Sequence, residues 1–209
     1  MDGMDTNQLL NGCWEPNDYY GKKIHGRDLC HESWKAMKPN SDDRFSDEVF
    51  EEYFVKTQKN KRLSHIPKEV LHQWIWPFND DPNSLANYGW INYYDARFHK
   101  EEVGVELIIN NVHPNKDGMD LVKIRADCQS LSNFYCGQED IEYWNLYGTW
   151  RIPPVILDVS SFSDIPNWTD ITFPYQLIEG HNRLGYLHAF YKINNRTTRN
   201  KHQVYILKN

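Results

Sequence analysis

The chain has 209 residues, and its 23 Lys and Arg against 29 Asp and Glu give a formal net charge of −6 at pH 7. Proteins that coat nucleic acid present a basic face or domain, so this charge argues against nucleic acid as the main partner. A small phosphate pocket remains compatible with it, because such a pocket needs only local donors. The length predicts one domain, or one domain with an elaborated arm. The 9 Phe, 8 Trp and 13 Tyr predict a folded, aromatic-rich core.

The sequence contains no pattern typical of membrane insertion or export. No run of residues approaches the roughly 18–20 apolar positions that cross a bilayer. The first ten residues carry two Asp and no basic residue, unlike a secretory signal peptide. Cysteines that form no C-x-x-C pair are typical of reduced thiols, and the four here are Cys13, Cys30, Cys128 and Cys136. We therefore expect a cytoplasmic protein with no membrane partner.

The first third of the chain predicts an irregular arm followed by two helices. Residues 1–44 combine turn-forming residues with scattered aromatics and show no periodicity. A helix is predicted from Ser46, which can cap it, because four apolar residues then share one face: Val49, Phe50, Tyr53 and Phe54. A second helix is predicted over Pro67–Trp76, with Pro67 suited to the first position and Pro77 ending it.

The middle of the chain is harder to assign. Residues 79–102 are rich in turn residues and aromatics. Strands are predicted over Val103–Asn110 and Asp120–Arg125, separated by a turn at His113–Gly118. A short helix is predicted over Glu139–Tyr147.

The last sixty residues give the clearest pattern. Compact apolar runs predict strands over Pro154–Val159, Tyr175–Ile178 and His202–Leu207. Between the last two, residues 184–191 have helical spacing and follow the turn Glu179–Arg183. The order of strands, turn, helix and strand predicts an α+β fold with a mixed sheet.

The junction of strand, turn and helix at residues 175–191 carries the most chemical information. Gly180 permits a tight turn, and the first N–H groups of the following helix lack intrahelical partners, which makes an anion site. Arg183 could bind a phosphate in bidentate fashion, with Asn182 and His181 as further donors. Glu179 is placed to orient a water, a hydroxyl group or a metal ion. The predicted catalytic residues are therefore Glu179 and His181, and the predicted phosphate-binding residues are Gly180, His181, Asn182 and Arg183.

The segment Tyr-Gln-Leu-Ile-Glu-Gly-His-Asn-Arg-Leu-Gly-Tyr-Leu resembles the signature of the ParB/sulfiredoxin superfamily, in which a strand, an acidic residue, Gly, two variable residues, Arg and a helix follow one another. Pro154–Leu157 is similar to the family's preceding strand and His202–Leu207 to its closing strand. The resemblance covers residues 150–209 and implies a ParB/sulfiredoxin-like core with residues 1–149 as an N-terminal elaboration packed on it. In that family the Gly-x-x-Arg turn holds the phosphates of a nucleotide. Gly180–Arg183 would then be the phosphate loop and Glu179 the family's acidic residue.

Three departures from the family pattern narrow what the resemblance implies, and one of them is that residues 1–149 resemble no familiar partner module. Partition proteins continue into a DNA-binding helix-turn-helix, whereas this sequence ends at Asn209. Sulfiredoxin has a catalytic Cys inside the turn, where this chain has His181 and Asn182. Partitioning and sulfinic acid repair are therefore not expected. The resemblance still implies a phosphate-binding scaffold, which relatives use for nucleotide hydrolysis, phosphoryl transfer and nuclease activity.

The leading expectation is a protein that binds a nucleotide or another phosphate ligand together with Mg²⁺, because one Arg cannot neutralise several phosphate charges. As an enzyme it would be a nucleotide hydrolase or a phosphotransferase. One alternative is a non-catalytic interaction module, antitoxin-like or self-associating as a homo-oligomer, in which Arg183 pairs structurally with Glu179 or Asp158. Another is a ParB-like nuclease, whose metal-binding carboxylates would be Glu179 and Asp158.

Two weaker patterns have simpler structural explanations. His25–His31 gathers metal-binding residue types, with Cys13 as a conceivable fourth ligand, but the spacing matches no standard zinc finger and a surface turn is favoured. Five aromatic residues could stack on a nucleobase, although burial in a core is favoured for them: Trp74, Trp76, Trp90, Tyr93 and Tyr94. No protein metal site is predicted.

Overall fold

The computed structural model of the chain describes residues 23–24, 27–28, 30–40, 48–130, 133–134, 136–193 and 199–209. The chain forms two compact units. The first consists of Met1–Ala96 with Pro166–Thr169, and the second of Arg97–Ile165 with Asp170–Asn209. Each unit is described separately below.

The first unit is mainly helical in its described part. A short antiparallel pair joins β1 (Lys23–Ile24) to β2 (Arg27–Asp28). The helices are α1 (Glu32–Ala36), α2 (Phe50–Lys59), α3 (68–78) and α4 (Pro82–Tyr88). Within α3, a π-helical turn over Leu71–Ile75 separates Lys68–Val70 from Trp76–Phe78.

Large aromatic side chains fill the interior of the first unit. The ring of Trp34 lies 5.6 Å from that of Trp74 and 5.5 Å from that of Tyr93, and Trp74 meets Tyr88 edge to face at 5.5 Å. Their polar ends are satisfied, since Trp34 donates to the Asn79 carbonyl and Tyr93 to the Tyr88 carbonyl, both at 3.0 Å. The prediction of core positions is confirmed for Trp74 and Tyr93, whereas three of the five residues are only partly buried: Trp76, Trp90 and Tyr94.

The second unit combines helices with a five-stranded sheet in its described residues. Its strands are β3 (Arg97–Gly104), β4 (Val112–Pro114), β5 (Val155–Asp158), β6 (Tyr175–Glu179) and β7 (Lys201–Lys208). Its helices are α5 (Val105–Asn111), α6 (Lys116–Ala126), α7 (Gln138–Tyr147) and α8 (His181–Ile193). A 3₁₀ turn over Val159–Ser161 follows β5.

The sheet is mixed, with the strand order β3-β7-β5-β6-β4. β5 runs parallel to β7 and β4 parallel to β6, while β3 with β7 and β5 with β6 are antiparallel. Strands β4 and β6 each lead directly into a helix, α6 and α8 respectively. Because these strands are parallel neighbours, α6 and α8 begin at the same edge of the sheet, and they pack against each other.

One hydrophobic core joins the sheet to the helices of the second unit. Buried residues of the central strands, Ile156, Leu177 and Ile206, contact the inner faces of the helices. The helical contribution includes Leu184 and Leu187 of α8, which are 2% and 0% exposed. Further aromatic packing comes from three residues around α7 and α8: Phe134, Trp144 and Tyr186.

The α+β fold class is confirmed, as are the helices predicted near residues 50, 67 and 139 and the final strands and helix. Pro77 lies within α3, which ends one residue later at Phe78. Ser46, predicted as the cap of α2, lies outside the described residues. The structure divides the chain at Ala96 and Arg97, whereas the resemblance begins the core near residue 150. Strands β3 and β4 therefore precede that boundary and still belong to the sheet.

The two strands predicted over Val103–Asn110 and Asp120–Arg125 are wrong, because most of these residues are helical. Residues 105–111 form α5, whose buried side chains Val105 and Ile108 are three apart, as on one face of a helix. The predicted turn at His113–Gly118 contains the start of α6, where the Asn115 side chain accepts a hydrogen bond from the Gly118 N–H at 2.8 Å. Turn residues of this type also cap helices, so the local pattern suited both structures. Helix α4 was not predicted.

No helix in the described part of the chain is both long enough and apolar enough to cross a membrane.

Gly185→Ala should destabilise the second unit. Helices normally gain about 1 kcal/mol from this exchange, but a Cβ at Gly185 would overlap Arg125 and lie 2.7 Å from the Val122 carbonyl oxygen on α6. We expect the free energy of unfolding to fall by roughly 1–3 kcal/mol, as for other overpacked sites. Urea denaturation measures this.

Gly104→Ala is the matched control, because a Cβ there meets no atom within 4 Å. We expect a change below about 1 kcal/mol, since Gly104 lies at the end of β3 and is the N-cap of α5. A stabilising Gly185→Ala would contradict the close approach of α6 and α8.

Candidate functional site

The turn between β6 and α8 is built around Gly180. Its backbone φ of +112° is rarely adopted by residues that carry a side chain. A Cβ at this position would also lie 2.6 Å from the Cβ of Pro154. The Gly180 carbonyl accepts the first hydrogen bond of α8, from the Leu184 N–H at 2.9 Å. The N–H groups of residues 181–183 therefore come before the first intrahelical bond, as at the start of any α-helix.

The guanidinium of Arg183 points into the protein. It donates to the carbonyl of Ile152 at 2.8 Å and to that of Pro153 at 3.5 Å, in the loop that precedes β5. It also pairs with the carboxylate of Glu179 at 3.3 Å. The Arg183 side chain is only 20% exposed. Most of its hydrogen-bonding capacity thus holds the turn to the neighbouring loop, and burial lowers the pKa of the guanidinium.

The Glu179 carboxylate lies at the end of β6 and is 26% exposed. Burial raises its pKa above the ordinary value of 4.5, against the opposing effects of Arg183 and of the hydrogen bond from the Gly180 N–H. A carboxyl group with a raised pKa can exchange a proton closer to neutral pH than an exposed one. Glu179 is therefore chemically suited to accept or release a proton at this turn.

His181 begins α8 and packs against the first turn of α6. A Cβ on Gly118 would overlap its imidazole ring, so α6 has room for this ring only because residue 118 is Gly. The His181 Nε2 atom is buried, with no hydrogen-bond partner among the described residues. Burial, assisted by the charge of Arg183, lowers the pKa of His181 from 6.5 to about 4. The ring is therefore neutral at pH 7 and does not supply positive charge.

Asn182 links α8 to α6. Its Oδ1 accepts a hydrogen bond from the Arg125 Nε–H at 2.8 Å, and the Arg125 guanidinium carbon lies 6.0 Å from the centre of the Tyr186 ring. This contact places a second arginine beside the turn. It also fixes the orientation of the Asn182 amide.

The N-termini of α6 and α8 lie next to each other at this turn. The first turn of α6 touches His181, and Asp140, in the first turn of α7, interacts electrostatically with Arg183 of α8. Helix N-termini carry partial positive charge, so their convergence favours anions. The protein's own carboxylates already lie nearby. Asp170 accepts from the Lys116 N–H at 2.7 Å, while Asp140 and Glu139 pair with Arg151 beside α7.

The predicted site residues are brought together only in part. Residues 179–183 form one turn, and Arg183 pairs with Glu179, one of the two acidic partners considered for it. Asp158 lies elsewhere, because it pairs with Tyr175 at the far end of the β5–β6 ladder from Glu179, and it caps the 3₁₀ turn through the Ser160 N–H at 3.1 Å.

Sequence reasoning missed the residues that surround the turn. Asp140 and Arg151 joined no recognisable motif, and the carbonyls of Ile152 and Pro153 have no side-chain signature at all. Arg125 was assigned to a strand, although it lies on α6 and reaches Asn182. Only the three-dimensional packing brings these groups to residues 179–183.

No group of three or more metal-binding side chains occurs within the described residues. His31 caps α1 by accepting from the Ser33 N–H at 3.1 Å, while His25 and Cys13 lie outside the described residues. The described cysteines form no disulfide bond with one another: Cys30, Cys128 and Cys136.

Comparison of the chain with protein-family models, with curated proteins and with solved structures gives no significant match. The resemblance to the ParB/sulfiredoxin superfamily therefore rests on the residues of the turn and its flanking strands.

Arg183→Met should destabilise the protein although it retains the aliphatic part of the side chain. The carbonyl of Ile152 would lose its donor, which typically costs about 1–3 kcal/mol. Arg151→Met is the control, because that guanidinium makes only half-exposed ion pairs, worth less than about 1 kcal/mol. Chemical denaturation of both variants measures the difference. Equal losses would contradict the structural role of Arg183.

Stability should fall as the pH is lowered from 6.5 to about 4. Burial lowers the pKa values of His181 and His202 to about 4, so in this window the unfolded chain binds more protons than the folded one. Each histidine contributes a slope of at most about 1.4 kcal/mol per pH unit, and the raised pKa of Glu179 opposes it in part. NMR titration of the imidazoles checks this directly. A His181 titration near 6.5 would contradict its burial against α6.

Proposed function

We propose that the turn at the start of α8 binds the phosphate of a nucleotide or of another phosphate-bearing small molecule. The observation that carries the proposal is a glycine turn that precedes a 13-residue helix, whose first residue touches the first turn of α6. The resemblance to the ParB/sulfiredoxin superfamily, which rests on the same turn and its flanking strands, is consistent with it. In sheets with parallel strands, ligands commonly bind beyond the carboxyl ends of those strands, and the ends of β4 and β6 lie at this edge.

The backbone N–H groups of His181, Asn182 and Arg183 are the phosphate donors in this proposal. The Arg183 guanidinium holds these donors in place through its hydrogen bond to the Ile152 carbonyl. Its positive charge acts on the turn from the protein interior. The His181 ring is neutral, so it packs against α6 and adds no positive charge to the proposed site. This division of roles follows from the contacts that each side chain already makes.

A magnesium ion bound to the ligand's phosphates would neutralise their remaining charge and polarise the phosphorus–oxygen bonds. Mg²⁺ would be held mainly by the ligand's phosphates and by waters, which leaves the Glu179 carboxylate available for proton transfer. The chain's own part in a reaction would be proton transfer by Glu179, whose raised pKa suits a general base or acid for a water or an acceptor hydroxyl. Phosphoanhydride hydrolysis or phosphoryl transfer is the reaction class that follows.

The alternative function is a structural turn within a protein-interaction module. It is favoured by the inward direction of Arg183 and by the carboxylates that already face the helix ends. A nuclease is less well supported, because Asp158 and Glu179 lie at opposite ends of their strand pair.

Asn182→Asp should abolish phosphate binding without harming the fold. Aspartate has the shape of asparagine, keeps an acceptor for the Arg125 Nε–H, and suits the first turn of a helix. The added negative charge lies beside the proposed N–H donors and repels a phosphate. Thermal-shift and calorimetric titrations with ATP, CTP, GTP and UTP in the presence of Mg²⁺ measure the effect. A ligand at 100 times its Kd adds about 2.7 kcal/mol to stability.

Asn83→Asp is the matched control, because it makes the same change in the first turn of α4 in the other unit. We expect it to bind nucleotide like the unmodified protein. If neither ATP, CTP, GTP nor UTP stabilises the unmodified protein, or if Asn182→Asp binds as tightly as the unmodified protein, the proposed site is wrong.

A further inference from the structure

Strand β3 forms one edge of the five-stranded sheet, with β7 as its neighbour among the described residues. An edge strand presents backbone N–H and C=O groups with which another strand can pair. The side chains of Lys100 and Glu102 are exposed on this strand. A Cβ at Gly104, the last residue of the strand, would meet no atom within 4 Å. The middle and the end of β3 are therefore accessible within the described part of the chain.

The backbone groups of Lys100 and Glu102 point away from β7, toward the open edge. In an antiparallel pair, residues that bond to the neighbouring strand alternate with residues whose N–H and C=O groups point the other way. The Val105 N–H donates to the Asn200 carbonyl of the β7 side at 2.9 Å, so the even-numbered residues of β3 point outward. Tyr205, which lies opposite Lys100, correspondingly donates its N–H to the residue before β5.

The charges at this edge are complementary to those of a second copy of the same strand. A twofold axis between two antiparallel β3 strands places residues at equal distances from the axis opposite each other. An axis beside Glu101 puts Lys100 of each copy opposite Glu102 of the other, which gives two ion pairs. An axis one residue away in either direction puts Lys100 opposite Lys100, or Glu102 opposite Glu102. Like charges directly opposite destabilise a strand pair, so the charges select the register centred on Glu101.

This register also brings the two Glu101 side chains close to each other, and each copy supplies its own countercharge. Lys208 of β7 donates to the Glu101 Oε1 at 2.8 Å. Successive side chains of a strand alternate between its two faces, so this ion pair lies on the opposite face from Lys100 and Glu102. The Lys100 Nζ lies 5.4 Å from the centre of the Tyr205 ring, a contact that leaves its charge available to a carboxylate.

We propose that β3 is a self-association surface, through which two copies of this chain join edge to edge as a twofold dimer. Lys100 and Glu102 exchange backbone hydrogen bonds and side-chain ion pairs across the junction, and the two five-stranded sheets become one continuous sheet. The partner is a second copy because the charge pattern of β3 complements its own reverse at both outward positions. This inference does not depend on the proposed phosphate site.

Sedimentation equilibrium tests the proposal. We expect the unmodified chain to form dimers at micromolar concentrations. Lys100→Glu and Glu102→Lys each place like charges opposite each other at both outward pairs, so each should weaken the dimer about tenfold or more. Lys123→Glu is the matched control, because it reverses an exposed lysine on α6 of the same unit. We expect it to leave the dimer unchanged.

A mixture of the two single variants supplies a gain of association, which misfolding cannot imitate. The Lys100→Glu chain then meets the Glu102→Lys chain with opposite charges at both outward pairs, and a heterodimer should form about as readily as the unmodified dimer. Hydrogen exchange should show slower exchange of the Lys100 and Glu102 N–H groups on dimerisation, and little change for Glu101, which bonds to β7. A chain that stays monomeric, a dimer that resists both single variants, or a mixture without heterodimer overturns the proposal.

Discussion

The guanidinium of Arg183 holds together the edge of the sheet on which the candidate site depends. It joins the first turn of α8 to the Glu179 carboxylate at the end of β6 and to the carbonyls of the loop before β5. A buried carbonyl that loses its hydrogen-bond donor lowers the stability of the fold. The contact of Gly180 with Pro154 places the same loop against the turn. The direction in which α8 leaves the sheet follows from these two constraints together.

Because of this constraint, the Arg183 side chain and the backbone of the turn have different roles. In a short motif of an acid, a glycine and an arginine, the arginine is the obvious cation for a phosphate. Here the Arg183 side chain is engaged with Ile152 and Glu179, so the proposed phosphate donors are the backbone N–H groups at the start of α8. Arg151, which precedes Ile152 in the chain, is more exposed than Arg183 and pairs with the carboxylates of α7.

The contacts between α6 and α8 make the two helices one structural element. The His181 ring occupies the space that Gly118 leaves open, the Asn182 amide bonds to Arg125, and Gly185 allows the helix backbones to approach closely. Each of these contacts depends on the parallel pairing of β4 with β6, which starts both helices at one edge of the sheet. A change in any of them would disturb the positions of the N–H groups that the proposed function uses.

Local sequence patterns determined the α+β class, strands β5, β6 and β7, helix α8 and the position of Gly180, because apolar runs, helical spacing and a glycine after a strand are properties of neighbouring residues. The same reasoning failed between residues 103 and 126. There, short apolar runs suit both strand and helix, and only burial of Val105 and Ile108 against the core selects the helix. The partners of Arg183 could not be predicted either. Two of them are backbone carbonyls, which every residue carries, so only tertiary packing decides which of them a buried arginine meets.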